Sequence, residues 1–140
     1  MNPLPMKKIL YISTNDGSDM RINKEVKSLS QCAKIYFLGV GYYGVNNYAK
    51  KYCEEFHLIQ EKRNSLKAVI KHLFKFLQWN RVFNFNSIHI INEQLMLFFY
   101  PFLFNKYVVL DLFDSFFLKI NKPGKKLKII KQLVYAPINY

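Results

Sequence analysis

Short uninterrupted apolar runs take turns along this chain with longer stretches whose apolar residues recur at helical spacing, the rhythm of a parallel α/β domain. Residues 8–13 (Lys-Ile-Leu-Tyr-Ile-Ser) form the first run. Residues 14–19 (Thr-Asn-Asp-Gly-Ser-Asp) supply turn formers, and Asp19 stands where a carboxylate accepts hydrogen bonds from the first free amides of a helix. Beyond it Ile22, Val26, Leu29 and Ala33 fall on one helical face, with Arg21, Lys24, Glu25 and Lys27 off it. Residues 34–38 predict a second strand, residues 47–55 a short helix and residues 56–60 a third strand.

Residues 64–79 carry the clearest helical pattern, with Leu66, Val69, Ile70, Leu73, Phe74 and Leu77 on one wholly apolar face. That face is expected to lie on the sheet. Lys67, Lys71 and Lys75 recur on another face, while Phe76 and Trp79 fall outside the main stripe. The basic face, with Trp79 as an interfacial anchor, is therefore a candidate for contact with an anionic membrane surface. His57 and His72 are expected to be ordinary surface or boundary residues. Residues 86–91 predict a fourth strand, residues 94–105 a very apolar helix interrupted at Pro101, and residues 106–112 a fifth strand. A basic tail over residues 119–131 has six lysines, no acid and partial helical spacing after the Pro123-Gly124 break.

Strand, helix and strand in this order predict one Rossmann-like, three-layer α/β domain over residues 1–140, its mostly parallel, doubly wound sheet having about five strands. With the usual order 3-2-1-4-5, ligands bind beyond the carboxyl ends of the strands, between strands one and four. Residues 15–18 then face Asn92 and Glu93, with Asp111 and Asp114 one strand further out. Gly17 lets the backbone come close to a ligand there.

Composition narrows the class of partner. Apolar residues make up 51% of 140, aromatics 17%, and 21 Lys and Arg against nine Asp and Glu leave a formal charge of +12. That composition excludes a disordered chain, and the charge favours partners bearing phosphate or carboxylate: sugar nucleotides, anionic lipid or nucleic acid. Nucleic acid is the least favoured of the three, because the lysines spread over at least two helices and no DNA- or RNA-binding motif is present. Cys32 and Cys53 show neither metal-ligand spacing nor a disulfide framework, which fits a reducing cytoplasm. The amino terminus lacks the order of a signal peptide, and the longest apolar run, residues 95–104, is too short to span a bilayer. The acids include no Asp-x-Asp pair, so neither a metal nor another cofactor is expected.

Residues 39–44 (Gly39-Val-Gly41-Tyr-Tyr-Gly44) match G-x-G-x-x-G, with a strand before them and Glu61 near the place of a ribose-binding acid. The alternative reading is thus a module binding NAD or FAD through Gly39, Gly41, Gly44 and Glu61. Against it, a complete strand and helix already precede the match, whereas the fingerprint opens the first βαβ unit. A basic module binding nucleic acid or membrane is the further alternative.

Three segments resemble landmarks of glycosyltransferase family four, whose members have the GT-B fold. Asp19-Met-Arg21-Ile-Asn-Lys24-Glu25 resembles the family's Asp-x-Arg-x-x-Lys/Arg-Glu opening. Ser87-Ile-His89-Ile-Ile-Asn92 resembles its Val-His-x-His/Asn strand end, and Lys106-Tyr-Val-Val-Leu-Asp111-Leu-Phe-Asp114 its apolar strand ending in Asp-x-x-Asp/Glu. Phe113 stands where His often precedes the acid, and Cys32-Ala33 where a glycine often precedes strand two. The resemblance implies an amino-terminal, acceptor-side domain cut short before its last strand or two, with the donor-binding half absent. It implies acceptor or cleft contacts from Asp16, Gly17, Ser18, Arg21, Asn92 and Glu93, with Asp111 and Asp114 as catalytic candidates. In such an enzyme a nucleotide sugar on the second domain, in cis or on a separate chain, passes its sugar to a lipid-linked or polysaccharide acceptor. This domain alone is then expected to be inactive, and to work in the cytoplasm or peripherally at the inner face of the membrane.

Overall fold

The computed structural model describes residues 6–63 and 65–111. Among these residues five parallel strands form one sheet: β1 (Lys7–Ser13), β2 (Ala33–Val40), β3 (Glu55–Ile59), β4 (Ser87–Ile91) and β5 (Tyr107–Asp111), in the order β3-β2-β1-β4-β5. This is the expected doubly wound, Rossmann-like order, and all the pairings are parallel. Helix α1 (Met20–Leu29) lies on one face of the sheet, and α2 (Leu66–Phe83) and α3 (Glu93–Phe99) lie on the other. Short 3₁₀ turns, Tyr48–Tyr52 and Tyr100–Phe102, replace the helix expected at 47–55 and the second half of the one expected at 94–105. Pro101 sits in the second of these turns, where its ring cannot continue an α-helix.

The period of two divides the core into two layers. Leu10 and Ile12 of β1 join Ile88, Ile90, Leu38, Phe76 and Phe99 on the α2/α3 side, while Ile9 and Tyr11 join Ile22, Val26, Ile35 and Phe37 on the α1 side. Asp19 caps α1 as expected: its Oδ1 accepts from the Arg21 and Ile22 amides at 2.8 and 3.3 Å. Such a cap contributes about 1 kcal/mol. Helix α1 ends at Leu29, so Ala33, expected on its face, instead begins β2.

Helix α2 corrects the sequence reading most. Its buried residues are Ala68, His72, Phe76 and Trp79, spaced i, i+4, i+8 and i+11, and Phe76 and Trp79 stand with Tyr36, Leu38 and Val40 in the core beneath it. Of the stripe expected to face the sheet, Leu66 is 69% exposed, Ile70 46% and Phe74 70%, while Leu73 and Leu77 lie at the border. The helix is turned so that its aromatic and small positions point inward. Trp79 therefore fills the core, edge-on to Tyr36 at 6.3 Å, and is no membrane anchor. His72 is buried as well, against the expectation of a boundary residue.

Candidate functional site at the carboxyl edge of the sheet

The loop after β1, the residue after β4 and the end of β5 meet at the crevice that the strand order creates. The loop is held by its own side chains. Asn15 Oδ1 accepts from the Gly17 amide at 2.8 Å, and Asp16 Oδ1 accepts from the Ser18 hydroxyl at 2.6 Å. Asn92 has φ +86°, donates through Nδ2 to the Thr14 hydroxyl at 2.5 Å and through its backbone amide to the Asp111 carbonyl at 3.4 Å. Strands one, four and five are thereby joined at their ends by one asparagine. The Arg21 guanidinium, at the start of α1, forms an ion pair with the Asp111 carboxylate across this edge and a second at 4.0 Å with Glu25.

The expected site residues fall into two neighbourhoods. Arg21, Asn92 and Asp111 come together over β1, β4 and β5. Asp16 instead turns toward the β2–β3 side, where Arg63 lies 3.4 Å from its carboxylate and Asn47 Nδ2 donates to its carbonyl at 2.8 Å. Gly17, φ +80°, is buried; a Cβ there would stand 3.0 Å from the Phe56 ring, so packing as well as conformation demands glycine. Ser18 serves the loop through Asp16. The side chain of Glu93, Asp114 and the basic tail over 119–131 lie outside the described residues.

Beneath the Arg21–Asp111 pair a groove of about 660 Å³ runs along the sheet beside α1, lined by Tyr11, Glu25, Leu29, His89, Ile91 and Val109 among others. Tyr11 and His89 are register partners on β1 and β4, their rings 4.8 Å apart. The Tyr11 hydroxyl is buried with no hydrogen-bond partner among the described residues, and burial, then the Glu25 and Asp111 carboxylates, push its phenol well above the usual value. Glu25 is raised too, by burial first and by Asp111 next, against the lowering effect of Arg21. Burial lowers His89, with Asp111 opposing. The groove therefore favours neutral Tyr11 and His89, while one guanidinium serves two carboxylates at its mouth. That arrangement can orient a hydroxylated ligand and accept a proton from it. Tyr11 had no signal of its own as a site residue and His89 only its place in the strand end that resembles a family landmark; the register alone sets the two side by side.

Residues 39–44 do not form a phosphate cradle. Gly39 lies inside β2, where a Cβ would approach the Asn15 carbonyl oxygen to 2.3 Å. Gly41, φ +143°, would meet the Asp16 Cβ at 2.7 Å. Both glycines let β2 pass close under the β1–α1 loop. Gly44 is open, and a loop with a 3₁₀ turn follows where the fingerprint needs a helix amino terminus. Glu61 is paired with Lys71 at 2.5 Å, which lowers its carboxyl below the ordinary range.

No group of three or more His, Cys, Asp or Glu side chains among the described residues is placed to hold a metal ion. Among the same residues no helix is long and apolar enough to cross a membrane. Among the described residues, fold and edge together define a Rossmann-like α/β domain with a crevice at the carboxyl end of its five-stranded parallel sheet. No protein-family model matches the sequence, and no curated protein matches it.

Proposed function

We propose that this chain is the acceptor-side domain of a GT-B glycosyltransferase, working with a donor-binding half, in cis or on a separate chain, that presents the nucleotide sugar. The acceptor is a lipid-linked or polysaccharide hydroxyl lying over the Arg21–Asp111 edge, and the site of work is the cytoplasmic face of a membrane. One observation carries the reading: Arg21, Asn92 and Asp111 come from three segments far apart in sequence, each resembling a family landmark, and they meet at the switch point of the sheet. Asp111 is the carboxylate best placed to take a proton from an incoming hydroxyl, with Arg21 holding it in position.

The test uses the polypeptide isolated from its own cells together with any chain that accompanies it. Radiolabelled nucleotide sugars are supplied with lipid and glycan extracts, and incorporation is measured for the native protein and Asp111→Asn. The reading expects transfer into one extract, reduced at least roughly a hundredfold in the variant. The ion pair is half exposed, so its loss costs under about 1 kcal/mol of stability and the variant stays folded. Absence of transfer from every nucleotide sugar overturns the reading, as does full activity in Asp111→Asn.

A further inference from the structure

The outward face of α2 is apolar where a solvated helix is polar. Leu66, Ile70 and Phe74 follow one another at i, i+4 and i+8 and all three are exposed, Phe74 most of all. On α3 alongside, Leu97 and Phe98 are exposed as well, at 54% and 47%. Contiguous apolar surface of this kind is uncommon on a protein that needs no partner there.

Charge identifies the partner. Residues 62–83 contain Lys62, Arg63, Lys67, Lys71, Lys75 and Arg81 and no acid, with Arg63 and Lys71 engaged by Asp16 and Glu61 from outside this stretch. Lys67 and Arg81 are exposed on the helix that carries the stripe, so cations border the apolar side chains. An apolar stripe edged by cations and free of acids is the pattern of a helix lying in the plane of an anionic bilayer. A protein partner of matching size would have to be acidic around an apolar centre; a bilayer with anionic headgroups offers that arrangement everywhere.

We infer that the outer surface of α2 and α3 docks on an anionic lipid bilayer, with Leu66, Ile70, Phe74 and Phe98 entering the headgroup boundary and Lys67 and Arg81 meeting lipid phosphates. Position ties this surface to the ligand edge. Leu66 and Phe98 line a cavity of about 220 Å³ together with Thr14 and Val40, which stand at the carboxyl ends of β1 and β2. Docking would therefore lay the bilayer against the α2/α3 side of this edge, with the groove beside α1 on the other face of the sheet. This deepens the membrane part of the reading above, yet it rests on exposure and charge alone. Vesicle binding and sugar transfer are separate readouts, so either idea can fail without the other.

The test is co-sedimentation of the full chain with vesicles of phosphatidylglycerol and phosphatidylcholine, against pure phosphatidylcholine vesicles. Wild type is expected to bind the anionic vesicles and to leave the neutral ones in solution. Ile70→Gln/Phe74→Gln is expected to lower partitioning by about tenfold per side chain, the equivalent of roughly 1.4 kcal/mol of lost transfer each. Both positions are exposed, so the thermal midpoint of the variant should stay within a few degrees of wild type. Equal binding of wild type and variant overturns the inference. A large fall in midpoint overturns it too, because the face would then be covered by protein in solution. Self-association that the double variant abolishes, with no vesicle binding, assigns the face to a second copy instead.

Discussion

Replacing His72 by Gln isolates one buried proton site. His72 is 1% exposed, its Nε2 lies 3.0 Å from the Leu38 carbonyl oxygen of β2, and its ring meets Phe99 edge-on at 5.5 Å. Burial is the main cause that lowers its pKa from 6.5 to about 4; the bond to Leu38 opposes this, and His57 adds to it. The unfolded chain therefore binds more protons than the native one between these two values. Stability from neutral His72 is whole above the unfolded value, and is lost as pH falls through 6.5 toward 4. At about 1.4 kcal/mol for each unit, the loss amounts to about 3 kcal/mol by the acid end of that window. Gln places an amide donor within reach of the same carbonyl but takes up no proton. His72→Gln should cost about 1 kcal/mol at neutral pH through the missing ring contact with Phe99, and its stability should then fall less steeply with acid. Urea titrations followed by the fluorescence of Trp79, the single tryptophan of the sequence, give the comparison in steps from about pH 7 to about pH 4. Groups far from His72 contribute equally to both proteins and drop out of the difference; His57, which couples to His72, leaves a small residual. Parallel curves for the two proteins across that range would refute the reasoning and mean that native His72 takes up its proton without strain.

Two further substitutions probe the packing around the site. Gly39→Ala should destabilise by about 2–3 kcal/mol, because its methyl group meets a backbone oxygen that cannot move freely, whereas Gly44→Ala should stay within about 0.5 kcal/mol. Chemical denaturation reads both; NAD or FAD binding that disappears in Gly44→Ala would instead restore the dinucleotide reading. Tyr11→Phe removes a buried hydroxyl that has no partner among the described residues, so stability should hold or rise by up to about 1 kcal/mol. A loss of that size in thermal denaturation would show that the hydroxyl is hydrogen-bonded after all.

Much of this protein is legible without its structure. The apolar runs over 8–13, 34–38, 56–60, 86–91 and 106–112 each become a strand within a residue or two; β1, β2 and β4 are largely apolar because helices cover both their faces, whereas the edge strand β5 leaves Tyr107 and Val109 exposed. Their order follows from the alternation with helices, and Asp19 marks the start of α1 because a cap is a local interaction between neighbours. Asn92 and Asp111 follow from the same logic, since strand order alone sends strand ends to one edge, whereas Arg21, on α1, is a candidate only through the family resemblance.

Tertiary structure decided what depends on rotation, register and close approach. Helix α2 is apolar around more than half of its circumference, so periodicity offers two faces; packing over β2 chose Ala68, His72, Phe76 and Trp79 and left Leu66, Ile70 and Phe74 outside. The pairing of Tyr11 with His89 required the register of β1 on β4. Gly39 and Gly41 read as a nucleotide fingerprint in one dimension, yet in three they make room for Asn15 and Asp16. Local sequence carries the energy of caps and apolar runs, whereas the choice among apolar faces and the clearance between backbones arise only when distant segments share a volume.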